Sequence, residues 1–326
     1  MHGLTPAHVD RFIVDLERLI DPVHARLGIA VSGGPDSLAL LLLANAALPN
    51  QIAAATVDHG LRPDAAREAQ FVADVCSLRG IPHTILHPAT PITGSAQSAA
   101  REVRYALLNE WADTNRCTWI ATAHHVDDQA ETLLMRLNRG SGVAGLAGVR
   151  AMNGRVIRPL LGWRHTELVD IIEHCGLRAV DDASNHDPRF DRVRVRAGLA
   201  TSDWLLSERI AVSAGLLAEA NTALEWATAQ LVGDRLILGP ESVKLDPSLL
   251  PRELRRRLVL RALRHIDPQL TPRGAALVDL IEALNRTEVR TLGQVQCKGG
   301  AVWRFKRATP RHKNETSSHD SIVIHS

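Results

Sequence analysis

Ile29-Ala30-Val31-Ser32-Gly33-Gly34-Pro35-Asp36-Ser37 is the stretch that decides the fold. A β-branched, apolar segment runs into a turn with two glycines and then directly into the apolar residues 38–43, which reads as strand, loop and helix. A loop of this kind presents backbone N–H groups with few side chains in the way. The helix after it aims its positive dipole end at the same space, and phosphate is held in such places. Ser32 and Ser37 add hydroxyls. The Asp36 carboxylate would repel a bare phosphate but suits one that carries a divalent cation. The loop has neither the Gly-x-x-x-x-Gly-Lys-Ser/Thr nor the Gly-x-Gly-x-x-Gly pattern, so an ordinary P-loop NTPase or a dinucleotide fold is not indicated. A plain strand-to-helix connection has the same short signature, so the rest of the chain must decide.

The 326 residues, 45% of them hydrophobic, are enough for two domains with cores. The longest apolar run, 38–48, is interrupted by Asn45 and is too short to span a bilayer; residues 1–11 lack the layout of a signal peptide. A cytoplasmic protein without a membrane-bound segment is expected. Cys76, Cys117, Cys175 and Cys297 lie far apart with no Cys-x-x-Cys pair, against a zinc ribbon, an iron–sulfur cluster or a disulfide framework. The net charge is only +2, but its sign is uneven: residues 244–273 hold 8 basic and 3 acidic side chains, and 298–313 hold 6 basic and none acidic.

Apolar spacing predicts a helix over 8–26. Strands are then expected at 27–31, 51–57, 83–86 and 118–122, with helices at 37–47, 64–79 and 95–115 between them. This alternation implies an α/β fold, a doubly wound parallel sheet with helices on both faces. In such sheets ligands bind beyond the carboxyl ends of the strands, where the winding reverses. Two further polar clusters fall after strands, as that rule requires: Asp58-His59-Gly60-Leu61-Arg62 and His124-His125-Val126-Asp127-Asp128-Gln129. The second opens a helix, on which Asp128 and Glu131 share a face. A capping, solvated acidic turn is the plain alternative for these carboxylates. A metal-bound hydrolytic site is another, although adjacent histidines are an awkward start for zinc.

Residues 139–148, with four glycines, read as a mobile loop. Arg189, Arg192, Arg194 and Arg196 form a comb that is either a solvated face or a phosphate contact. Beyond 202 the chain turns helical and basic. Helices are expected at 252–266 and 275–284, the first with a separate stripe of Arg257, Arg261 and Arg264. Hairpins are expected at 235–245 and 294–307. The last strand, Val302-Trp303-Arg304-Phe305-Lys306-Arg307, mixes aromatic and basic residues, as an RNA surface or a half-buried strand would.

Taken together, Ser32-Gly33-Gly34-Pro35-Asp36-Ser37, Val57-Asp58-His59-Gly60-Leu61-Arg62, His124-His125-Val126-Asp127-Asp128-Gln129-Ala130-Glu131-Thr132, Arg139-Gly140-Ser141-Gly142 and Arg158-Pro159-Leu160-Leu161 resemble the bacterial tRNA(Ile)-lysidine synthetases in order and spacing. The loop alone marks only the wider class of N-type ATP pyrophosphatases with a PP-loop. The resemblance covers residues 27–196 and implies a PP-loop catalytic domain over 1–200, a smaller, mainly helical and basic tRNA-binding domain over 201–307, and a disordered tail over 308–326. It implies adenylation of the wobble cytidine of a CAU anticodon of tRNA(Ile) by ATP and Mg2+, then attack by free L-lysine. By this resemblance Ser32, Gly33, Gly34, Pro35, Asp36, Ser37 and His124 bind ATP, with Asp36 near the metal. Arg104 stabilises the α-phosphate, Asp128 and Glu131 hold the reactants, and Arg196 contacts substrate. Arg192, Arg257, Arg261 and Arg264 are the candidate tRNA contacts. The chain departs from the family at Arg192-Val193, where members often show Arg-Asn. A PP-loop tRNA thiolase and a non-catalytic RNA-binding protein remain as alternatives, and a homodimer is left open.

Overall fold

A computed structural model describes residues 4–60, 65–89, 96–180, 187 and 189–308. Leu61 and Arg62 of the cluster that begins at Asp58, residues 181–186 and those from 309 onward lie outside the described residues. The chain divides into two compact units, Met1–Asn221 and Thr222–Ser326.

The first unit runs α1 (Pro6–Glu17), β1 (Leu27–Ala30), α2 (Pro35–Ala47), β2 (Ile52–Val57), α3 (Ala65–Ser77), β3 (His83–Leu86), α4 (Ala96–Thr114), β4 (Trp119–Ala121), α5 (Val126–Asn138), α6 (Val143–Leu146), β5 (Met152–Asn153), β6 (Val156–Ile157), α7 (His165–His174), α8 (Asp191–Ala200) and into α9 (Ser207–Gln230). The expected alternation is therefore present. Helix α1 stops earlier than its apolar spacing suggests, because Asp21-Pro22 bars helical backbone ahead of the proline; buried Ile20 continues its packing as coil. The sheet order is β3-β2-β1-β4-β6-β5, parallel except for the edge strand β5. Its winding reverses between β1 and β4.

Strand alternation assigns the two faces. Ile29 and Ala54 join the core formed with α1, α2, α3 and α7. Ala30, Ala53 and Ala55 turn the other way, against Leu108, Trp111 and Ala112 of α4. Small residues are needed on that second face: a Cβ on Gly28 would come within 2.8 Å of the Trp111 ring. Helix α2 is apolar all round, and residues 37–44 are buried, enclosed by the sheet, α1 and α7. Burial of its leucines, at about 1.5–3 kcal/mol each, anchors the loop that precedes it.

Residues 139–148 are not a free loop. They contain α6, and Arg136 donates to the carbonyls of Gly145 (2.6 Å) and Gly148 (2.8 Å). Gly140, Gly142 and Gly145 spell Gly-x-Gly-x-x-Gly, but the pattern follows helix α5 instead of a strand and so lacks the dinucleotide setting. The units divide within α9, later than the compositional change near Ser202, because Ala214 is fully buried beside Gly148.

The second unit holds β7 (Leu236–Leu238), β8 (Ser242–Leu245), α10 (Arg252–Ile266), α11 (Gly274–Asn285), β9 (Val289–Leu292), β10 (Val295–Lys298) and β11 (Trp303–Arg307). The two expected hairpins are parts of one five-stranded antiparallel sheet, ordered β7-β8-β11-β10-β9. Strand β9 has no alternating apolar pattern of its own and is legible only through its pairing with β10. Trp303 and Phe305 point inward, against Leu258, Ala262 and Leu280, so the last strand shows solvent its basic side chains and not its aromatic ones.

Arg257 is a correction to the expected RNA-contacting stripe. It is buried, its Nε 2.8 Å from Glu253 Oε1 and its Nη1 against Glu225, so its charge is engaged inside the unit; Arg264 is exposed and Arg261 half-buried. Arg257→Met is expected to destabilise this unit by about 1–3 kcal/mol, below the cost of a fully buried broken pair because both glutamates reach solvent. Urea unfolding measures this. Loss of tRNA affinity at unchanged stability would restore Arg257 as an RNA contact. No helix among the described residues is long and apolar enough to cross a membrane.

Candidate active site

The loop after β1 is closed by its own side chains. Ser37 Oγ accepts from the Ser32 amide (3.1 Å), lies 3.2 Å from Ser32 Oγ and donates to the Gly34 carbonyl (3.0 Å). Gly33 has φ +87, the left-handed region that glycine adopts freely, and its carbonyl accepts from the Val180 amide at 3.0 Å. Gly34 caps α2 without a side chain, with Pro35 next, so the first N–H groups of the helix have no side-chain cap. A loop so shaped, ahead of a helix start without a side-chain cap, has the geometry of an anion cradle.

Two adjoining cavities meet at this cradle. The smaller, about 160 Å³, is lined by Ser32, Gly34, Asp36, Ser37, Arg104 and the residues beyond β4, Thr122, His124 and Asp128. The larger, about 360 Å³, lies past β1 and β2 among Thr56, Asp58, His59, Glu68, Val180 and again Ser32, Gly34 and Arg104. Its volume suits a nucleoside. Arg104 borders both cavities and carries no hydrogen bond or ion pair among the described residues. Burial lowers its pKa, so this cation gains from any anion that enters. His124 is neutral, pulled down to about 3 by burial and by the charges of Arg158, Arg101 and Arg104, against Asp128; Thr122 Oγ1 lies 3.0 Å from its Nδ1.

Asp36 is held from two sides. His165 Nδ1 is 2.7 Å from Oδ1, and His125 Nε2 is 3.6 Å from Oδ2. Burial opposes the charge on Asp36, but the two histidines outweigh it and bring its pKa to about 2. Burial likewise opposes a charge on His125, and Asp127, Asp36 and Asp128 outweigh it, raising that ring to about 10. His125 also caps α5, where Asp128 Oδ2 accepts from its amide (3.1 Å), while Asp127 Oδ2 accepts from the His165 amide (3.0 Å) and ties α7 to α5. Donor atoms of Asp36, His125 and His165 lie within 4.8 Å of one another. His165 carries no motif. It meets Asp36 across 129 positions of sequence, a contact that only the tertiary fold makes.

Glu131 lines neither cavity at the cradle and is fully buried. Its Oε1 accepts from Arg196 Nε (2.7 Å). Arg192 Nε approaches Oε2 at 2.9 Å but off the line of a hydrogen bond, which leaves that oxygen without a donor among the described residues. Arg192 also reaches Asp128 Oδ1 at 3.6 Å and donates to Thr132 (3.3 Å). The comb is thus split by helical phase: Arg192 and Arg196, four apart on α8, share the face toward α5, while Arg194 turns to Asp191. Arg192 and Arg196 border a basic cavity of about 770 Å³ together with Arg101, Arg136, Arg189 and Phe190. The fold therefore gathers Ser32, Gly33, Gly34, Pro35, Asp36, Ser37, Arg104, His124 and Asp128 around the cradle, and Glu131, Arg192 and Arg196 behind Asp128. Arg257, Arg261 and Arg264 belong to the second unit.

Comparison with known proteins adds sequence-wide support. The PP-loop domain family matches residues 8–202. The chain is 45% identical over 304 residues to a tRNA(Ile)-lysidine synthase of Zymomonas mobilis, covering 90% of this chain and 92% of that one. It is 45% identical over 314 residues to one of Novosphingobium aromaticivorans, covering 94% and 95%. Among solved structures, the U34-tRNA thiolase NcsA from Methanococcus maripaludis with its [4Fe-4S] cluster aligns with a TM-score of 0.55 at 21% identity, over 64% of this chain and 78% of that chain, a likeness of fold. With its PP-loop, its β4-end carboxylates and relatives of nearly its full length, the chain belongs to the tRNA(Ile)-lysidine synthase family.

Proposed function

We propose that the protein is a ligase that adenylates the wobble cytidine of a CAU-anticodon tRNA(Ile) with ATP and joins free L-lysine to it. The observation that carries this reading is the meeting of the phosphate cradle, Arg104 (without a hydrogen bond or ion pair among the described residues), neutral His124 and ionised Asp36 around one cavity that adjoins a nucleoside-sized one. Adenosine fits the larger cavity, and the polyphosphate follows the loop to the α2 N-terminus. Cytidine O2 attacks the α-phosphorus, the bond to pyrophosphate breaks, and Arg104 faces the charge that accumulates on the phosphoryl oxygens. A hydrogen bond from neutral His124 to the same oxygens supports that charge without the repulsion an anion would bring.

The lysine ε-amine then attacks C2, AMP leaves with the former carbonyl oxygen, and the amine sheds a proton. Asp128, which borders the cradle, is the carboxylate we assign to accept it. A free amino acid is a zwitterion: its ammonium suits the pair Asp128 and Glu131, and its carboxylate suits Arg192 and Arg196.

An ion of the Mg2+ class would be held by Asp36 together with the ATP phosphates and would offset pyrophosphate charge. The residues fit, since Asp36 is ionised, fixed in orientation and borders the cradle. His125 and His165 serve as its hydrogen-bonding supports, as nitrogen donors are poor ligands for so hard a cation. The thiolase alternative lacks sulfur chemistry: Cys76, Cys117 and Cys297 are buried, and none of the four cysteines lines either cavity.

Incubation with tRNA(Ile), ATP–Mg2+ and isotopically labelled lysine, followed by mass analysis of the wobble nucleoside, is expected to give one labelled lysidine per AMP formed. Modification that proceeds with a sulfur donor and not with lysine would reject this function.

A further inference from the structure

Asp36, His125 and His165 bring one carboxylate and two imidazoles together from three elements. Asp36 stands in the first turn of α2, His125 is the N-cap of α5 and His165 is the first residue of α7. Their donor atoms lie within 4.8 Å of one another. The fold also answers the difficulty that adjacent histidines pose for zinc. His124 goes to the cradle cavity and Thr122, His125 goes to Asp36, and the second nitrogen comes from His165 instead.

Zinc takes imidazole nitrogen and carboxylate oxygen at about 2.0–2.2 Å, which in a tetrahedron sets ligand atoms roughly 3.3–3.6 Å apart. His125 Nε2 already stands 3.6 Å from Asp36 Oδ2, and His165 Nδ1, at 2.7 Å from Oδ1, is drawn closer by the proton they share. The His165 side chain is 44% exposed, so its ring has room to shift as an ion enters. Behind His125, Nδ1 lies 3.4 Å from Asp127 Oδ2, and the same oxygen accepts from the His165 amide at 3.0 Å. This outer carboxylate is placed to keep a proton on His125 Nδ1 while Nε2 takes the ion, the support that metal-ligating imidazoles use.

We propose that these three side chains form an inhibitory site for a borderline d-block cation, Zn2+, which takes Asp36 away from magnesium. The inhibitory effect rests on the adenylating function above; the binding itself does not. Two imidazoles and one carboxylate suit zinc and leave a fourth position for water, whereas Mg2+ keeps to oxygen. The ion replaces the protons that lie between the histidines and Asp36, and those protons leave to solvent. Asp36 then serves a metal whose position is set by histidines and not by ATP phosphates, and pyrophosphate departs without the cation that would offset its charge.

Binding is tested on the full-length protein without ATP or tRNA, with Co2+ as the probe. One equivalent should give the intense visible absorption of tetrahedral cobalt, and Zn2+ should remove it. His165→Asn sets an amide where Nδ1 stood and should weaken Co2+ binding at least about 100-fold, and Asp127→Asn by about 10–100-fold, the scale on which an outer-shell partner acts. Should either variant melt early, wild-type histidine NMR decides: one equivalent of Zn2+ should move the ring signals of His125 and His165 and leave those of the exposed His24 and His174 in place. At buffered free Zn2+, pyrophosphate formation by the wild type should fall, and the zinc needed for half-inhibition should rise in proportion to Mg2+. The activity that remains in His165→Asn should resist the same zinc. Equal Co2+ binding by wild type and His165→Asn, or zinc shifts confined to exposed histidines, would overturn the site. Inhibition that is equal in both proteins, or that magnesium does not relieve, would overturn its inhibitory effect. The functional reading fails separately, if wild-type protein makes no lysidine, while the cobalt spectrum still reports on these three side chains.

Discussion

Asp36→Asn is expected to slow both pyrophosphate and AMP formation by about 10³-fold, roughly 4 kcal/mol of lost transition-state stabilisation, with tRNA affinity within about twofold of wild type. The substitution preserves shape and removes one charge. In the native site that charge is secured from two directions: His125 and His165 hold the carboxylate ionised, with a pKa of about 2, at the first turn of a helix whose leucines are locked in the core. The asparagine amide still fills the space beside His165, so α2 and the cradle should keep their places. What disappears is an anion able to hold a divalent cation against the ATP phosphates. Quenched-flow measurement of pyrophosphate and AMP across a magnesium titration is the check. Full activity of the variant would remove the proposed metal role, and equal loss of tRNA binding would show that the change had disturbed the unit as a whole.

The reach of Asp36 also marks where the sequence stops being readable. The motif pattern from Ser32 to Ser37, the strand-end clusters and the parallel sheet all follow from local chemistry, namely glycines where backbone must approach an anion, alternation of faces along β1 and β2, and polar residues at strand ends. The supports are long-range and leave no local trace. His165 is the first residue of an ordinary amphipathic helix and meets Asp36 only because α7 packs on α2. Arg192 and Arg196 looked like alternate teeth of a comb; helical phase, not sequence spacing, turns them to Glu131 and sends Arg194 elsewhere. In the second unit, the aromatic and basic mixture at 302–307 satisfied two readings until the sheet register separated core from solvent. Arg257 leaves the exposed stripe for the complementary reason. Its acidic partner Glu225 lies 32 positions upstream, where no helical repeat on α10 reveals it.

Glu131→Gln should separate the two half-reactions that Asp36→Asn slows together. Glu131 is out of solvent and does not line the phosphate cradle, so adenylation and its burst of pyrophosphate are expected to survive within about tenfold. Lysine-dependent AMP release should fall by about 10²–10³-fold in kcat/KM for lysine, the scale on which loss of one partner from a desolvated charge pair acts. Three features place the effect there. Arg196 and Arg192 converge on this carboxylate; its Oε2 lacks a hydrogen-bond donor among the described residues; and Asp128, three residues earlier on the same helix, borders the cradle. Neutralising Glu131 leaves two arginines balanced by Asp128 alone, a field that repels an ammonium ion. It also frees Arg196, whose pKa is raised by its bond to Glu131 against the cost of burial. The variant should therefore accumulate adenylated tRNA, visible by mass as a tRNA–AMP species that disappears when lysine is raised far above its normal KM. Parallel loss of pyrophosphate and AMP would place Glu131 in the adenylation step instead, and an unchanged KM for lysine would remove it from lysine binding.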